Sequence, residues 1–406
     1  MPEFNTVAIL LLFALLLLWN LDFVATLLNL GSLRPELPEE FTEVYNPEKY
    51  SESQEYTRAT SKFGIIASIA SLTILLGFWF FGGFAWWDSW TRDLGLGGVT
   101  TGLVYIFGLL LGNYILNLPL TIYSTFVLEE RFGFNKTSRA TFVMDQLKTI
   151  LLTTLIGAPL LAGILLIFQS VPGAWFWAWL TFSAFILAIT YLSPSLIMPL
   201  FNKFEPMEEG ELKDAIYRMA EECKFPLTEI TIMDGSRRSA KSNAFFMGFG
   251  KNKKIALYDT LVENHSTEEL VAVLAHEIGH FKRKHIIQRI VLSLVQFAIL
   301  FYILGLLINP EGSFSRQLFD AFGIAPEHIS PHAGLVFFGI LFSPVSRFLG
   351  VFLNGWSRKH EFEADAYAAG AQRTPEHLIT ALKKLSADNL STVSYTHLTL
   401  PTSDLV

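Results

Sequence analysis

The sequence predicts a mainly α-helical, multi-pass membrane protein with one small polar unit that carries a β-sheet. Three observations carry this. Of the 406 residues 51% are hydrophobic and only 17% charged, against about 25% charged in average usage, and the mean hydropathy is +0.40. Seven apolar stretches are each long enough to cross a hydrocarbon core, which takes about 20 helical residues. Between the fifth and the sixth lies the single sizeable polar segment, residues 200–286.

The spans are expected near 7–28, 63–84, 99–123, 150–169, 174–195, 287–308 and 333–353. The first lacks the positive flank of a signal peptide, since residues 1–6 carry only Glu3, and its apolar core is longer than such peptides use. The second ends in Phe84, Trp86, Trp87 and Trp90, and the fifth opens with Trp175, Trp177 and Trp179. Both clusters suit an aromatic belt at a membrane surface. Residues 31–62 are acidic and carry Pro35, Pro38 and Pro47, which predicts a solvated connection with a short helix near Glu52 to Arg58. Loop 124–149 contains LEERFGFNKTS, Leu128 to Ser138, where Gly133 and Asn135 predict a turn and a structural corner.

Loop charge gives the orientation. With the N-terminus outside, the inward loops 29–62 and 124–149 hold four Lys/Arg each and the tail from Asn354 holds five. The outward segments 1–6, 85–98, 170–173 and 309–332 hold none, one, none and one. The long segment 196–286, with its thirteen, is set aside because the rule holds for short loops. The remaining bias of thirteen against two places 200–286 on the cytoplasmic side. A net charge of −7 provides no basic footprint for nucleic acid. The lone Cys223 rules out an internal disulfide and cysteine-ligated zinc, so a metal site has to be built from His, Glu and Asp.

Within the polar segment, Glu208 to Cys223 reads as an amphipathic helix. LTEITIMDGS (Leu227 to Ser236) alternates and ends in Asp-Gly, as a strand and turn do, and NAFFMGFG (Asn243 to Gly250) and KIALYDTLV (Lys254 to Val262) follow as two more strands. A sheet edge beside a reactive site can hold an extended peptide as an added strand. The next helix, STEELVAVLAHEIGH, starts with Ser266 or Thr267 as N-cap and Glu268 and Glu269 in its first turn. His276, Glu277 and His280 spell H-E-x-x-H. Positions four apart share a helix face, so the two imidazoles can hold one zinc ion, with Glu277 as general base beside a water in the open position. The chain then runs through Lys282, Arg283, Lys284 and His285 into the sixth span, which predicts one continuous helix with interfacial cations. Arg289 and Arg347 fall inside spans; Arg289, near an end, can snorkel, whereas Arg347 is deep enough to require an internal cavity.

Zinc still needs a third protein ligand. The polar helix Asn354 to Ala368 offers Glu361 as ligand, with Asp365 on the same face to accept the spare ring N–H of a ligating His. Glu363 points away from that face, and His360 is expected at the surface.

H-E-x-x-H followed by E-F-x-A-D, here Glu361 to Asp365, resembles the CAAX prenyl protease 1 (Ste24-type) family of membrane zinc metalloproteases, M48. LEERFGFNKTS, the segment Asp234 to Gly250, LAHEIGHFKRKH (Leu274 to His285) and the seven-span layout belong to the same likeness, which covers roughly residues 1–392. The resemblance implies zinc on His276, His280 and Glu361, Glu277 activating water, Asp365 behind a histidine, and substrate backbone held along Ser242, Asn243 and Ala244. It implies spans enclosing a water-filled chamber, and as substrate a peptide or the C-terminus of a prenylated protein, from which a tripeptide is removed. The expected setting is a bacterial inner membrane or, in a eukaryote, the endoplasmic reticulum membrane. After Asp388 to Ser391 the family continues with a His-Pro element and an Arg, whereas this chain reads TVSYTHLTLPTSDLV; His397 does not transfer, and the tail 393–406 is expected to be disordered. The implied organisation is 1–199 spans one to five, 200–286 catalytic segment, 287–353 spans six and seven, and 354–392 the helix of the third ligand. Two other readings compete: a quality-control protease of the broader HtpX-like membrane group, and a seven-helix transporter or receptor with structural zinc. The span count and LEERFGFN disfavour the former, and the latter leaves Glu277 without a role.

Overall fold

The computed structural model describes residues 2–391 except 35, 38–41, 43–45, 248–252 and 373; the tail expected to be disordered, and part of the second expected strand, lie outside the described residues. Among the described residues, seven helices are long and apolar enough to cross a membrane. α1 (Thr6–Gly31) starts at Asn5, whose side chain accepts from Ala8 N. α2 (Pro47–Phe80) begins well before its apolar stretch, so the short helix expected near Glu52 to Arg58 is the first part of the second span. Asn46 caps it and Pro47 suits its first turn, which explains the early start. A left-handed Gly82 then turns the chain into a separate helix, α3 (Gly83–Asp93), which carries the tryptophans placed at the end of span two.

α4 (Gly98–Tyr123) continues as a π-helical turn to Glu129. Gly133, at φ 73°, makes the predicted turn, and α5 (Arg139–Ser170) starts at its cap, Ser138. α6 (Ala174–Leu192) passes through another π turn into α7 (Met198–Phe201). The polar unit follows as β1 (Phe204–Pro206), α8 (Glu211–Glu222), β2 (Leu227–Met233), β3 (Ala244–Met247), β4 (Lys253–Tyr258), α9 (Asp259–Asn264) and α10 (Thr267–Lys282). α11 (His285–Leu307), α12 (Ser313–Ala321), α13 (Pro331–Gln372) and α14 (Glu376–Asp388) complete the described chain.

The sheet runs β1-β2-β4-β3, with β2 and β4 parallel and both outer pairs antiparallel. β1, a three-residue strand with a proline at its end, carried no alternation to reveal it. Under the sheet, Ile216, Ile230, Ile255, Leu257, Leu270, Leu274 and Leu385 form one buried core. α10 is buried on nearly every side, its other faces packing against Met219, Phe225 and Ala368. A second core ties the helices together at the end where the N-terminus lies. Trp79, Phe84, Phe319, Phe322 and Phe337 are buried there, with Phe322 and Phe337 stacked at 3.9 Å.

A further buried cluster of Ile164, Ala178, Phe301 and Leu304 joins α5, α6 and α11. Arg347 meets Asp22 of α1 at 2.7 Å, and both side chains remain more than half exposed, at 63% and 51%. Arg347 thus has a charged partner, Asp22, on α1.

Candidate metal centre

α10 and α13 are held unusually close. At Gly279 a β-carbon would stand 3.0 Å from both the Cα and the carbonyl oxygen of Ala364, so any larger residue would push the two helices apart by a few tenths of an ångström. Of the two expected N-caps the structure uses Ser266, in a capping box: Ser266 accepts from Glu269 N, and Glu269 returns the bond to Ser266 N. α13 is one 42-residue helix, so span seven and the polar helix after it are a single rod that carries Glu361 to α10.

Three side-chain atoms converge at the crossing. His276 Nε2 lies 3.1 Å from His280 Nε2, and Glu361 Oε2 lies 3.4 Å from each. A tetrahedral zinc ion bound at about 2.0–2.1 Å separates its ligands by about 3.3 Å, so two imidazoles and a carboxylate at these spacings fit one such ion. Among the described residues this is the group of three potential ligands close enough to share an ion. His276 Nδ1 donates to Asp365 Oδ1 at 2.7 Å, which leaves Nε2 as the lone-pair nitrogen. Burial alone depresses His276, but the carboxylates of Asp365 and Glu361 outweigh it and raise the imidazole. The arrangement attracts positive charge.

Glu277 lies beside His276 on the rim of a small cleft that Asn243, Ala244, Leu261, Val273 and Leu382 also line. Burial pushes its carboxyl up from the usual range, with His276 and His280 opposing.

β3 is an outer strand of the sheet. Tyr258 N donates to the Asn243 carbonyl at 3.0 Å, so the alternation of an antiparallel ladder turns the backbone of Asn243, Phe245 and Met247 towards β4. Ala244 and Phe246 therefore face the open edge. Of the three expected edge residues, Ser242 has its N–H taken by Asn389 Oδ1 at 3.3 Å, and Ala244 N donates to the Asn243 side chain. Phe246 was missed because its register is set by the pairing with β4.

Other expectations are corrected here. His360 is only 2% exposed, stacked on His285 with ring centroids 3.9 Å apart, and is no surface residue. The catalytic helix is not continuous with span six: Lys284, at φ 59°, breaks it. Arg289 bonds Ser357 Oγ at 2.9 Å and reaches to 3.8 Å from Glu361 Oε1, so its charge serves the carboxylate at the site. The corner loop also does more than turn. Lys136 N donates to the Arg238 carbonyl and Ala240 N to that of Phe134, docking it against the segment that leads into β3. Lys241 reaches Tyr56 Oη at 3.0 Å, and Tyr56 donates to Glu129 at 2.7 Å.

Comparison with known proteins adds to this geometry. Residues 27–203 match the model described as the CAAX prenyl protease N-terminal region, five membrane helices, and residues 206–401 match peptidase family M48. A CAAX prenyl protease 1 homolog of Oryza sativa is 35% identical over 89% of this chain and 85% of its own length. CAAX prenyl protease 1 of Saccharomyces cerevisiae is 34% identical over 88% of this chain and 83% of its own. The crystal structure of S. mikatae Ste24p superposes with a TM-score of 0.88 at 30% identity, covering 97% of this chain and 94% of that one. The chain belongs to the CAAX prenyl protease 1 (Ste24-type) family within peptidase family M48, and is a multi-pass membrane metallopeptidase.

Proposed function

We propose that the chain is a zinc endopeptidase that removes the C-terminal tripeptide of prenylated proteins ending in C-a-a-X, or cuts closely related peptides. The observation that carries this is the meeting of His276 Nε2, His280 Nε2 and Glu361 Oε2 beside the open edge of β3. When bound there, zinc would act as a Lewis acid towards the scissile carbonyl and acidify the attacking water.

The chain's own residues do the rest. His276, His280 and Glu361 hold the ion, and Asp365 fixes the tautomer of His276. An extended peptide adds to the sheet as a further strand along Ala244 and Phe246, with Asn243 beside them and Ser242 anchored to Asn389. Glu277 takes the proton of the attacking water and delivers it to the departing amine, so no acyl-enzyme forms. The polar unit faces the cytoplasm, across the inner membrane of a bacterium or the endoplasmic reticulum of a eukaryote.

The test incubates the purified protein with prenylated and unprenylated forms of one C-a-a-X peptide, with and without a chelator. Cleavage of the prenylated form, lost on chelation and restored by zinc, is expected. Cleavage that survives chelation rejects the metal, and equal cleavage of both peptides rejects a role for the prenyl group.

A further inference from the structure

The two imidazoles at the site differ in what lies behind them. His276 backs onto the carboxylate of Asp365, but His280 Nδ1 faces another histidine, His285 Nδ1, at 2.9 Å. His285 is 1% exposed, and its far nitrogen, Nε2, lies 3.0 Å from Glu363 Oε2. His360 lies flat on the His285 ring, 6° from parallel, and holds Gln288 Oε1 at 3.1 Å through its own Nε2. The His285 imidazole is therefore held in plane from the side as well as at both ends.

Two ring nitrogens that face each other need one proton between them. If His280 Nε2 gives its lone pair to a cation, the His280 proton sits on Nδ1 and is donated to His285. His285 Nδ1 must then accept, which leaves the His285 proton on Nε2, where Glu363 takes it. Each assignment follows from the one before, and the carboxylate at the end sets the direction of the whole chain.

The backbone supports this arrangement at some cost. On an uninterrupted α-helix, residues five apart are rotated by about 140° and do not meet. Lys284, at φ 59°, occupies a region that side chains other than glycine and asparagine enter rarely. The break it makes between α10 and α11 turns His285 back towards His280.

We propose that His285 and Glu363 are positioning residues for His280, a hydrogen-bonded chain that fixes the tautomer and ring plane of this ligand as Asp365 does for His276. The proposal rests on the reading of His280 as a metal ligand. Neither residue touches the ion.

The test uses the full chain in detergent or nanodiscs and measures zinc affinity by competition with a chelator, the visible spectrum of the cobalt-substituted protein, and kcat and KM separately. His285→Phe keeps the bulk and removes the acceptor; a loss of about 10–100-fold in zinc affinity is expected, the range typical when a ligand's supporting partner is removed. The cobalt spectrum should shift, and kcat should fall with KM little changed. His285→Asn restores an acceptor near the Nδ1 position and should recover part of the affinity. Glu363→Ala should lower affinity in the same direction and keeps the proposal testable if His285→Phe does not fold. A folded His285→Phe protein with zinc affinity within about twofold of the parent and an unaltered cobalt spectrum overturns the proposal. Failure of the underlying metal site looks different: the parent protein would bind no stoichiometric zinc, or would bind it equally well after Glu361→Ala.

Discussion

Of the proposed roles, that of Glu277 as general base is the one a single substitution tests most directly. Glu277→Gln keeps size and polarity but cannot take a proton. Zinc content should be unchanged and kcat should fall by about 10²–10⁴, the usual share of a general base; metal analysis and peptide turnover on the same preparation check both halves. Retained turnover would reject the assignment. At this scale the sequence revealed His276, His280 and Glu277, because a fixed spacing on one helix needs no tertiary knowledge. Asp365 was legible for the same reason, being one turn from Glu361. His285, His360 and Arg289 were not. The stack of His285 on His360 joins residues 75 apart, and the approach of His285 to His280 depends on a left-handed Lys284 that no propensity announces.

The crossing of α10 and α13 makes the site from two rods, and Gly279 sets its spacing. In Gly279→Ala a methyl must enter where Ala364 backbone stands at 3.0 Å, so α13 has to give way by a few tenths of an ångström. The ligands stay in place by sequence but lose their spacing. Zinc affinity should fall by at least tenfold while far-UV circular dichroism holds, and Gly279→Val should be worse. α3 makes a second prediction at the opposite end. Its Asp88 is buried; burial works to raise the carboxyl, but hydrogen bonds from His332 and Arg92, at 3.2 and 2.7 Å, more than offset this and hold it below the usual carboxylate range. A depressed folded value means that its stabilising share is complete above about pH 4, the unfolded value, and is lost as pH falls through the folded one. Asp88→Asn should lower the melting temperature at pH 7 and narrow its difference from the parent at pH 3, as followed by thermal unfolding in detergent. Helices were easy to read in the sequence because apolar length alone marks a span. Their ends were harder: α2 starts sixteen residues before the expected 63, since Asn46 and Pro47 begin a helix in polar sequence. The sheet was legible in three strands of four, and the missing β1 is short and borrows its order from β2.

For the whole molecule, the alternation of seven helices sends the aromatic core around Trp79 and Phe337 to one membrane face and the metal centre to the other. The Asp22–Arg347 pair stands between them in open space, an arrangement that lipid tails would penalise and a water-filled interior permits. A water-filled interior cannot be read from one sequence, because a lipid-facing and a cavity-facing apolar side chain look alike. Charge counting, which does not depend on packing, sets the expected orientation: thirteen Lys/Arg on one side against two on the other. The chain supplies its own reporter. Cys223, the single cysteine, is partly exposed at the end of α8 in the polar unit. With the chain in a bacterial inner membrane, in spheroplasts or sealed right-side-out vesicles, a membrane-impermeant maleimide should reach Cys223 only after permeabilisation. With Cys223→Ser as background, Arg316→Cys places a thiol on the exposed face of α12, between spans six and seven, and should label without permeabilisation. Labelling in the reverse order would put the metal centre on the far side of the membrane, out of reach of any substrate made and prenylated in the cytoplasm.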